Sequence, residues 1–392
     1  MTAPETFTVY AYDLNTNTPL AEIPASNLRF TSRLNDAGVC SFDIQLADPR
    51  VQRISPATAT APWQVALYID RNGVLVWGGI VVGRNYNATT RVLSVSGKEF
   101  LGWTDQRILV KDYDSQALIN LGYSQTVGGV TVGAIDPAVL LELVFTDAQA
   151  AGVGASIGIT VPTTTSALPK LAASYKRSQF IPLAQVVNDV CAMLSPGVGG
   201  VDVAIAVAWG AGNTAPTRTL VVSSPRAGRI QGSSGLVFDV ADAISWSWPE
   251  DGTQFGTRFT VTGSGSGTLA LVGSASAPVG VGGLGQPPWL DLVTNHPGIN
   301  SVDQLTRLAA SDAITFGQPL ATPQLVYRTV SASGSSLGTW IMGDDARIVI
   351  PIGDERFPSG LDQSWRIVGH TVTVPDEGVS TVGLTFNMPP IY

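Results

Sequence analysis

Trp63-Gln-Val-Ala-Leu-Tyr-Ile-Asp-Arg-Asn-Gly-Val-Leu-Val-Trp-Gly-Gly-Ile-Val-Val82 decides the fold class of this chain. Val65, Leu67 and Ile69 alternate onto one face, the period of two that marks a half-buried strand. Asn72-Gly73 follows. This is the strongest short-range hairpin signal, because both central positions of a type I′ turn need positive φ. The chain returns over residues 74–82, broken by Gly78-Gly79, and comes back again over residues 91–96 after the polar Asn85-Tyr86-Asn87. A three-stranded antiparallel meander with a glycine kink is therefore predicted over residues 63–100.

The rest of the chain has the composition of a β protein. Its 392 residues exceed one ordinary domain and predict two to four. With 42 glycines, 25 prolines, 44% apolar and only 13% charged residues, it suits short strands joined by turns better than long helices. A formal net charge of −8 and a pI near 4.8 argue against stable nucleic-acid binding, which rests on Lys and Arg contacts with phosphate. Lys176-Arg177 stands alone and does not make a basic patch. The N-terminus carries neither a basic segment nor an apolar core of a secretory signal, and no run of about 18 apolar residues marks a transmembrane helix. A soluble protein made in the cytosol is expected.

Along the chain, residues 7–12, 28–33 and 40–46 add strands to the opening meander, and a small barrel or sandwich would cover their edges. Residues 1–107 are expected to form this N-terminal β-barrel domain. Asp136-Pro137 is an N-cap with proline at the first helical position, and Pro182 opens a second apolar-striped helix, so residues 108–232 are expected to form an α/β domain. Residues 233–320 hold a strand pair, a Gly/Ser-rich arm at 263–285 and a short helix opened by the capping box Ser301-Val-Asp-Gln304. Residues 321–392 return to strands and end in a second meander. Setting Gly79 against Gly369 places Val76-Trp77 over Arg366-Ile367 and Ile80-Val81-Val82 over His370-Thr371-Val372, an internal repeat. The fold class expected is β-dominated α+β, with two small antiparallel β-barrel-like domains and an α/β domain between them.

Catalytic and metal chemistry is sparsely provided for. Gly280-Val-Gly-Gly-Leu-Gly285 spells a dinucleotide fingerprint, yet Gln286-Pro-Pro288 follows where a phosphate-binding helix would have to start. Gly154-Ala-Ser156-Ile-Gly158 spells a nucleophile elbow, but a helix precedes it and a strand follows, the reverse of the order needed. His296 and His370 are the only histidines, and both are expected in structural or surface roles. Cys40 and Cys191 lack metal-ligand spacing and read as inert buried thiols. Asp344, Asp345, Asp354 and Glu355 cluster in sequence, as the carboxylate pair of a glycosidase would require, but all sit at expected turns. No catalytic, cofactor or metal residue is assigned, and no enzyme activity is expected. Trp246-Ser-Trp248 puts two of the nine tryptophans on one strand face, for core packing, an assembly interface or sugar stacking.

The order of these pieces resembles a known family. Tyr68-Ile-Asp-Arg-Asn-Gly-Val-Leu-Val-Trp-Gly-Gly79, Leu93-Ser-Val-Ser-Gly97 through Leu101, Leu337-Gly338, Met342-Gly-Asp344, Arg366-Ile-Val-Gly369 and Leu384-Thr-Phe386 are similar to the tail hub, or tail-associated minor tail, proteins of long-tailed bacteriophages. That family is related to the contractile-tail baseplate hub. The resemblance implies a structural protein of the virion tail tip, assembled in the host cytoplasm. It implies a homotrimer whose two barrel domains per subunit alternate around a ring closing the tail tube. The partners it implies are the distal tail protein, the tape-measure protein and other minor tail or receptor-binding proteins, with no cofactor. Trp77, Gly78, Gly79, Trp246, Trp248 and Gly369 are the expected interface residues. The alternatives are a cell-wall carbohydrate-binding tail protein, which would need aligned exposed tryptophans, and a carboxylate-dependent glycosidase.

Overall fold

The computed structural model describes residues 5–166, 168–192, 200–212, 214–230, 232–265, 267–277, 288–330 and 336–387. The first hundred residues form seven strands: β1 (Phe7–Asp13), β2 (Pro19–Ile23), β3 (Ser26–Arg33), β4 (Val39–Gln45), β5 (Val65–Arg71), β6 (Val74–Asn87) and β7 (Val92–Glu99), with a one-turn helix α1 (Pro56–Ala59) before β5. An α/β segment follows, made of α2 (Ser115–Asn120), β8 (Ser124–Val127), β9 (Val130–Gly133), α3 (Pro137–Gln149), β10 (Ile159–Thr160), α4 (Leu183–Cys191), β11 (Asp202–Gly210) and β12 (Thr214–Ser223). Strands β13 (Val237–Asp239), β14 (Ser245–Ser247) and β15 (Glu250–Asp251) lead into β16 (Arg258–Thr262), β17 (Val272–Ser276), β18 (Asp291–Asn295) and helix α5 (Val302–Phe316). The chain closes with β19 (Leu320–Ala321), β20 (Gln324–Arg328), β21 (Asp345–Ile350), β22 (Leu361–Val374) and β23 (Thr381–Asn387).

The predicted meander forms. Asn72 and Gly73 both take positive φ, 53° and 89°, and close the β5–β6 hairpin. Two local expectations change. The strand expected to end at residue 82 runs on through the polar Asn85-Tyr86-Asn87, the exposed outer half of β6, paired with β7. β5 is buried on both faces rather than one: Val65, Leu67 and Ile69 face the strand core, while Ala66 and Tyr68 face a second core shared with the α/β segment. That face is covered by Tyr12 and Phe100, whose rings lie 5.4 and 5.7 Å from that of Tyr68, and by Arg218 of β12, which donates to the Tyr68 hydroxyl at 2.6 Å and to the Leu14 carbonyl at 2.9 Å.

Thirteen strands join in one sheet, in the order β14-β20-β23-β22-β3-β4-β7-β6-β5-β1-β2, with β21 paired to both β22 and β13. No strand unit closes on itself among the described residues, which corrects the expected barrels. The physical reason lies at β22. Its outer edge carries β21 over residues 361–366 and then β3 over residues 369–374, so the edge that would close the second unit is used to join the first.

The repeat is present, in a different register from the one read in sequence. β1, β3, β4, β5, β6, β7 and β13, β14, β20, β21, β22, β23 occur in the same chain order and stack laterally in the same order. Ile80 lies between Ala66 and Lys98; Arg366 lies between Asp345 and Asn387. A bulge follows in each strand, at Val82 and at Val368, so Gly83 rather than Gly79 matches Gly369. One pairing differs: β1 runs antiparallel to β5, whereas β13 runs parallel to β21.

The Gly/Ser-rich stretch is partly folded. Residues 263–265 and 267–277 lead into and form β17, which pairs with β16 beside the parallel β18, and α5 packs on this sheet. Small residues are needed there. A Cβ on Gly273 would stand 2.2 Å from the Leu305 carbonyl carbon of α5, and one on Gly263 would stand 2.6 Å from the Leu305 side chain. The Gly280–Gly285 fingerprint lies outside the described residues. The Asp136 carboxylate caps α3 by accepting from Ala138 N at 2.8 Å, and the Ser301 hydroxyl caps α5 by accepting from Gln304 N, but the reciprocal half of the expected capping box is missing because the Gln304 amide donates to the Lys170 carbonyl instead.

Candidate assembly surface

The joint between the two strand units is the most informative surface in the molecule. β22 and β3 run antiparallel with Gly369 opposite Arg33, His370 opposite Ser32, Val372 opposite Phe30 and Thr373 opposite Arg29. Phe30 and Val372 are fully buried, so the joint is a continuation of the core rather than a surface contact. His370 is buried between Phe30 and Trp340, at ring distances of 6.4 and 5.2 Å, and its Nδ1 finds no partner. Burial pushes its pKa down to about 4, because the apolar surroundings disfavour the charged ring. The carboxyl group of Glu99 accepts from Ser32 Oγ and from Gly38 N at 2.5 and 2.6 Å on the same joint, and burial pushes it up to about 7.

A buried ionic cluster ties the α/β segment to this joint. Asp202 of β11 accepts from Asn35 Nδ2 at 2.8 Å, from Ala227 N at 2.6 Å and from the Arg366 guanidinium. Arg226 donates to both Asp345 oxygens at 2.6 and 3.1 Å, and Arg229 pairs with Asp344. At the matching place in the first unit the pair is Ala66 and Ile80, so the second unit exchanges an apolar pair for charges where it meets Asp202. The acidic cluster proposed from sequence is thus spent on structure: Asp344 and Asp345 neutralise arginines, and Asp354 caps a turn by accepting from Arg356 N and Phe357 N at 2.9 and 3.0 Å.

The expected interface residues are placed as follows. Trp77 is buried and its Nε1 donates to the Thr31 carbonyl at 3.0 Å. Gly78 and Gly79 permit close approach rather than a kink: a Cβ would stand 2.6 Å from the Val207 side chain at Gly78 and 2.2 Å from the Lys98 carbonyl oxygen at Gly79. Gly369 is open by comparison, its nearest atom 3.5 Å from a built Cβ. Trp246 and Trp248 are half-buried against Phe357 and Trp365, the Trp248–Trp365 rings 5.0 Å apart and edge-on; Trp246 lies in the edge strand β14 and Trp248 just beyond its end. Among the other tryptophans only Trp63 and Trp289 are exposed, on separate parts of the chain, and Arg258 stacks over Trp289 at 4.9 Å. The aligned exposed rings of a glycan platform are not formed by these side chains.

The remaining chemistry is committed locally. Ser156 Oγ donates to Gln149 and accepts from Gly158 N at 3.0 Å in a turn. His296 Nδ1 lies 2.7 Å from Asp189, whose other oxygen accepts from the Tyr175 hydroxyl at 2.7 Å. Burial raises the thiols of Cys40 and Cys191 well above the ordinary range. Among the described residues no group of three or more His, Cys, Asp or Glu side chains is placed to hold a metal, and no helix is long and apolar enough to cross a membrane. What sequence reading missed is the pair of open edges. The outer edge of β6 beyond Gly83 and the outer edge of β14 carry no neighbouring strand among the described residues.

No protein-family model matches the chain, and no curated protein matches it in sequence. Solved structures do. A 43 kDa tail protein of prophage MuSo2 from Shewanella oneidensis superposes with a TM-score of 0.59 at 11% identity, over 98% of this chain and 99% of that one. A tail protein from Neisseria meningitidis gives 0.56 at 12% identity, covering 98% of each chain. A prophage tail protein from Listeria monocytogenes gives 0.52 at 11% identity, over 98% and 96%. Along nearly its whole length, this chain has the fold of bacteriophage tail proteins.

Proposed function

We propose that the chain is a structural, non-enzymatic component of a bacteriophage tail, acting as a hub at the tail tip. Three copies join head to tail into a ring of six similar strand units that closes the tail tube. The ring would link the tube to distal tail, tape-measure and host-recognition proteins in the virion, after assembly in the host cytoplasm. The observation that carries this reading is the duplication: two units with the same strand order, already joined edge to edge inside one chain and each leaving an edge without a neighbouring strand among the described residues. A head-to-tail contact of this kind generates a closed ring when its rotation closes. The division into 1–107, 108–232, 233–320 and 321–392 belongs to the same proposal, with β13 and β14 counted with the last unit. Native mass measurement tests it. The reading expects a species of three chain masses at assembly concentrations; a strict monomer that also fails to join a distal-tail ring overturns it.

A further inference from the structure

The duplication assigns more than a stoichiometry, because the strand registers of the two units can be laid on one another row by row. In the first unit one lateral row runs Gly83–Ser96–Ser41–Arg29 across β6, β7, β4 and β3. In the second, the corresponding row runs Gly369–Thr385–Gln324–Ser247 across β22, β23, β20 and β14. Gly83 therefore corresponds to Gly369, and Ser247 to Arg29. Inside the chain the second unit is bound to the first through β22 and β3, with Thr373 opposite Arg29. Thr373 stands four residues beyond Gly369, and Asn87 stands four residues beyond Gly83.

We infer that the outer half of β6, residues 83–88, pairs antiparallel with residues 246–251 of a second copy, with Asn87 opposite Ser247. This rests on the ring reading above and names the edges that make the ring. The same register sets Tyr86 opposite Trp248, where the intrachain joint has Val372 opposite Phe30. Val372 and Phe30 are both 0% exposed, whereas Tyr86 is 54% exposed and Trp248 half-buried, the difference expected when one joint is filled and its twin is open. Arg84, which donates to the Ala57 carbonyl at 2.5 Å, comes opposite Glu250, which pairs with Arg356 at 2.7 Å, so the joint sets a cation beside an existing ion pair. Unpaired ladder groups on both edges would find partners, which removes the aggregation hazard of two open strands.

Cysteine cross-linking of the full chain tests this. Residues opposed across antiparallel strands lie about 4.5–5.5 Å apart at Cα, within disulfide reach. An Asn87→Cys/Ser247→Cys chain should oxidise to a covalent trimer that reduction returns to monomer, and neither single variant should cross-link. Arg29→Cys/Thr373→Cys is the internal control: it has the same geometry within one chain and should close without joining chains. If the trimer forms and the control closes but the Asn87/Ser247 pair stays reduced, the edge pairing is wrong while the ring reading stands. If the chain remains monomeric, both fail. Hydrogen exchange on the unsubstituted chain gives a second reading. Amides of residues 83–88 should slow at least tenfold on assembly; unchanged rates overturn the pairing.

Discussion

Replacing His370 by phenylalanine should make the protein more acid-resistant, and the size of the effect follows from the joint. An unfolded histidine titrates near 6.5, and the buried ring is held down to about 4. Above pH 6.5 the ring is neutral in both states and contributes no pH dependence. As pH falls below 6.5, the unfolded chain takes up a proton that the folded chain refuses until about 4, so stability is lost across that window and the loss is complete below it. At pH 4.5 this amounts to about 2 to 3 kcal/mol. Phenylalanine keeps an aromatic ring between Phe30 and Trp340 and removes the buried Nδ1 that has no partner. The assay is denaturant unfolding of both proteins from pH 7.5 to 4.5, taking the difference between them so that all other titrations cancel. The variant should gain about 2 to 3 kcal/mol on wild type between pH 7 and pH 4.5. Parallel curves would refute the reasoning, because they would mean that the ring accepts a proton in the folded joint.

Three further outcomes follow from the same geometry. Glu99 has a folded pKa raised above its unfolded value, so its stabilising contribution is present below about 4.5 and lost as pH rises through about 7; Glu99→Gln should therefore overtake wild type in stability at pH 8 and show no advantage near pH 4.5, as read by melting temperature. Gly79→Ala should destabilise by several kcal/mol, on the order of 3, because its Cβ would meet the Lys98 carbonyl oxygen at 2.2 Å, whereas Gly369→Ala should be tolerated within about 1 kcal/mol. Chemical unfolding separates the two, and equal costs would contradict the assigned packing. Arg366→Met should cost about 3–5 kcal/mol by leaving the buried Asp202 carboxylate short of its charged partner, and Arg366→Met combined with Asp202→Asn should recover part of that loss in the same experiment.

Local signals carried well from sequence to structure. Asn72-Gly73, Asp136-Pro137 and Ser301 act through neighbours two or three residues away, and each formed the turn or cap its chemistry dictates. Long-range effects were not legible. The alternation in β5 marks one apolar face, but Tyr68 on the other face is buried by residues distant in sequence, Tyr12 and Phe100 against its ring and Arg218, 150 residues away, on its hydroxyl. The repeat was visible as two meanders, yet its register was misplaced by the bulges at Val82 and Val368, which shift pairing by one residue without any distinctive side chain. Glycine was ambiguous for the same reason: Gly273 reads as linker composition and serves as a seat for α5. The open edges could not be found from sequence at all, because an unpaired strand and a paired one share the same alternation.

The ring itself is the claim on which the rest depends, and electron cryo-microscopy of the purified assembly tests it most directly. The account predicts closed particles of three chains with six similar lobes around a central opening, strand density running unbroken from residues 246–251 of one copy to residues 83–88 of the next. Open filaments, isolated monomers, or rings whose copies meet through other surfaces would contradict it.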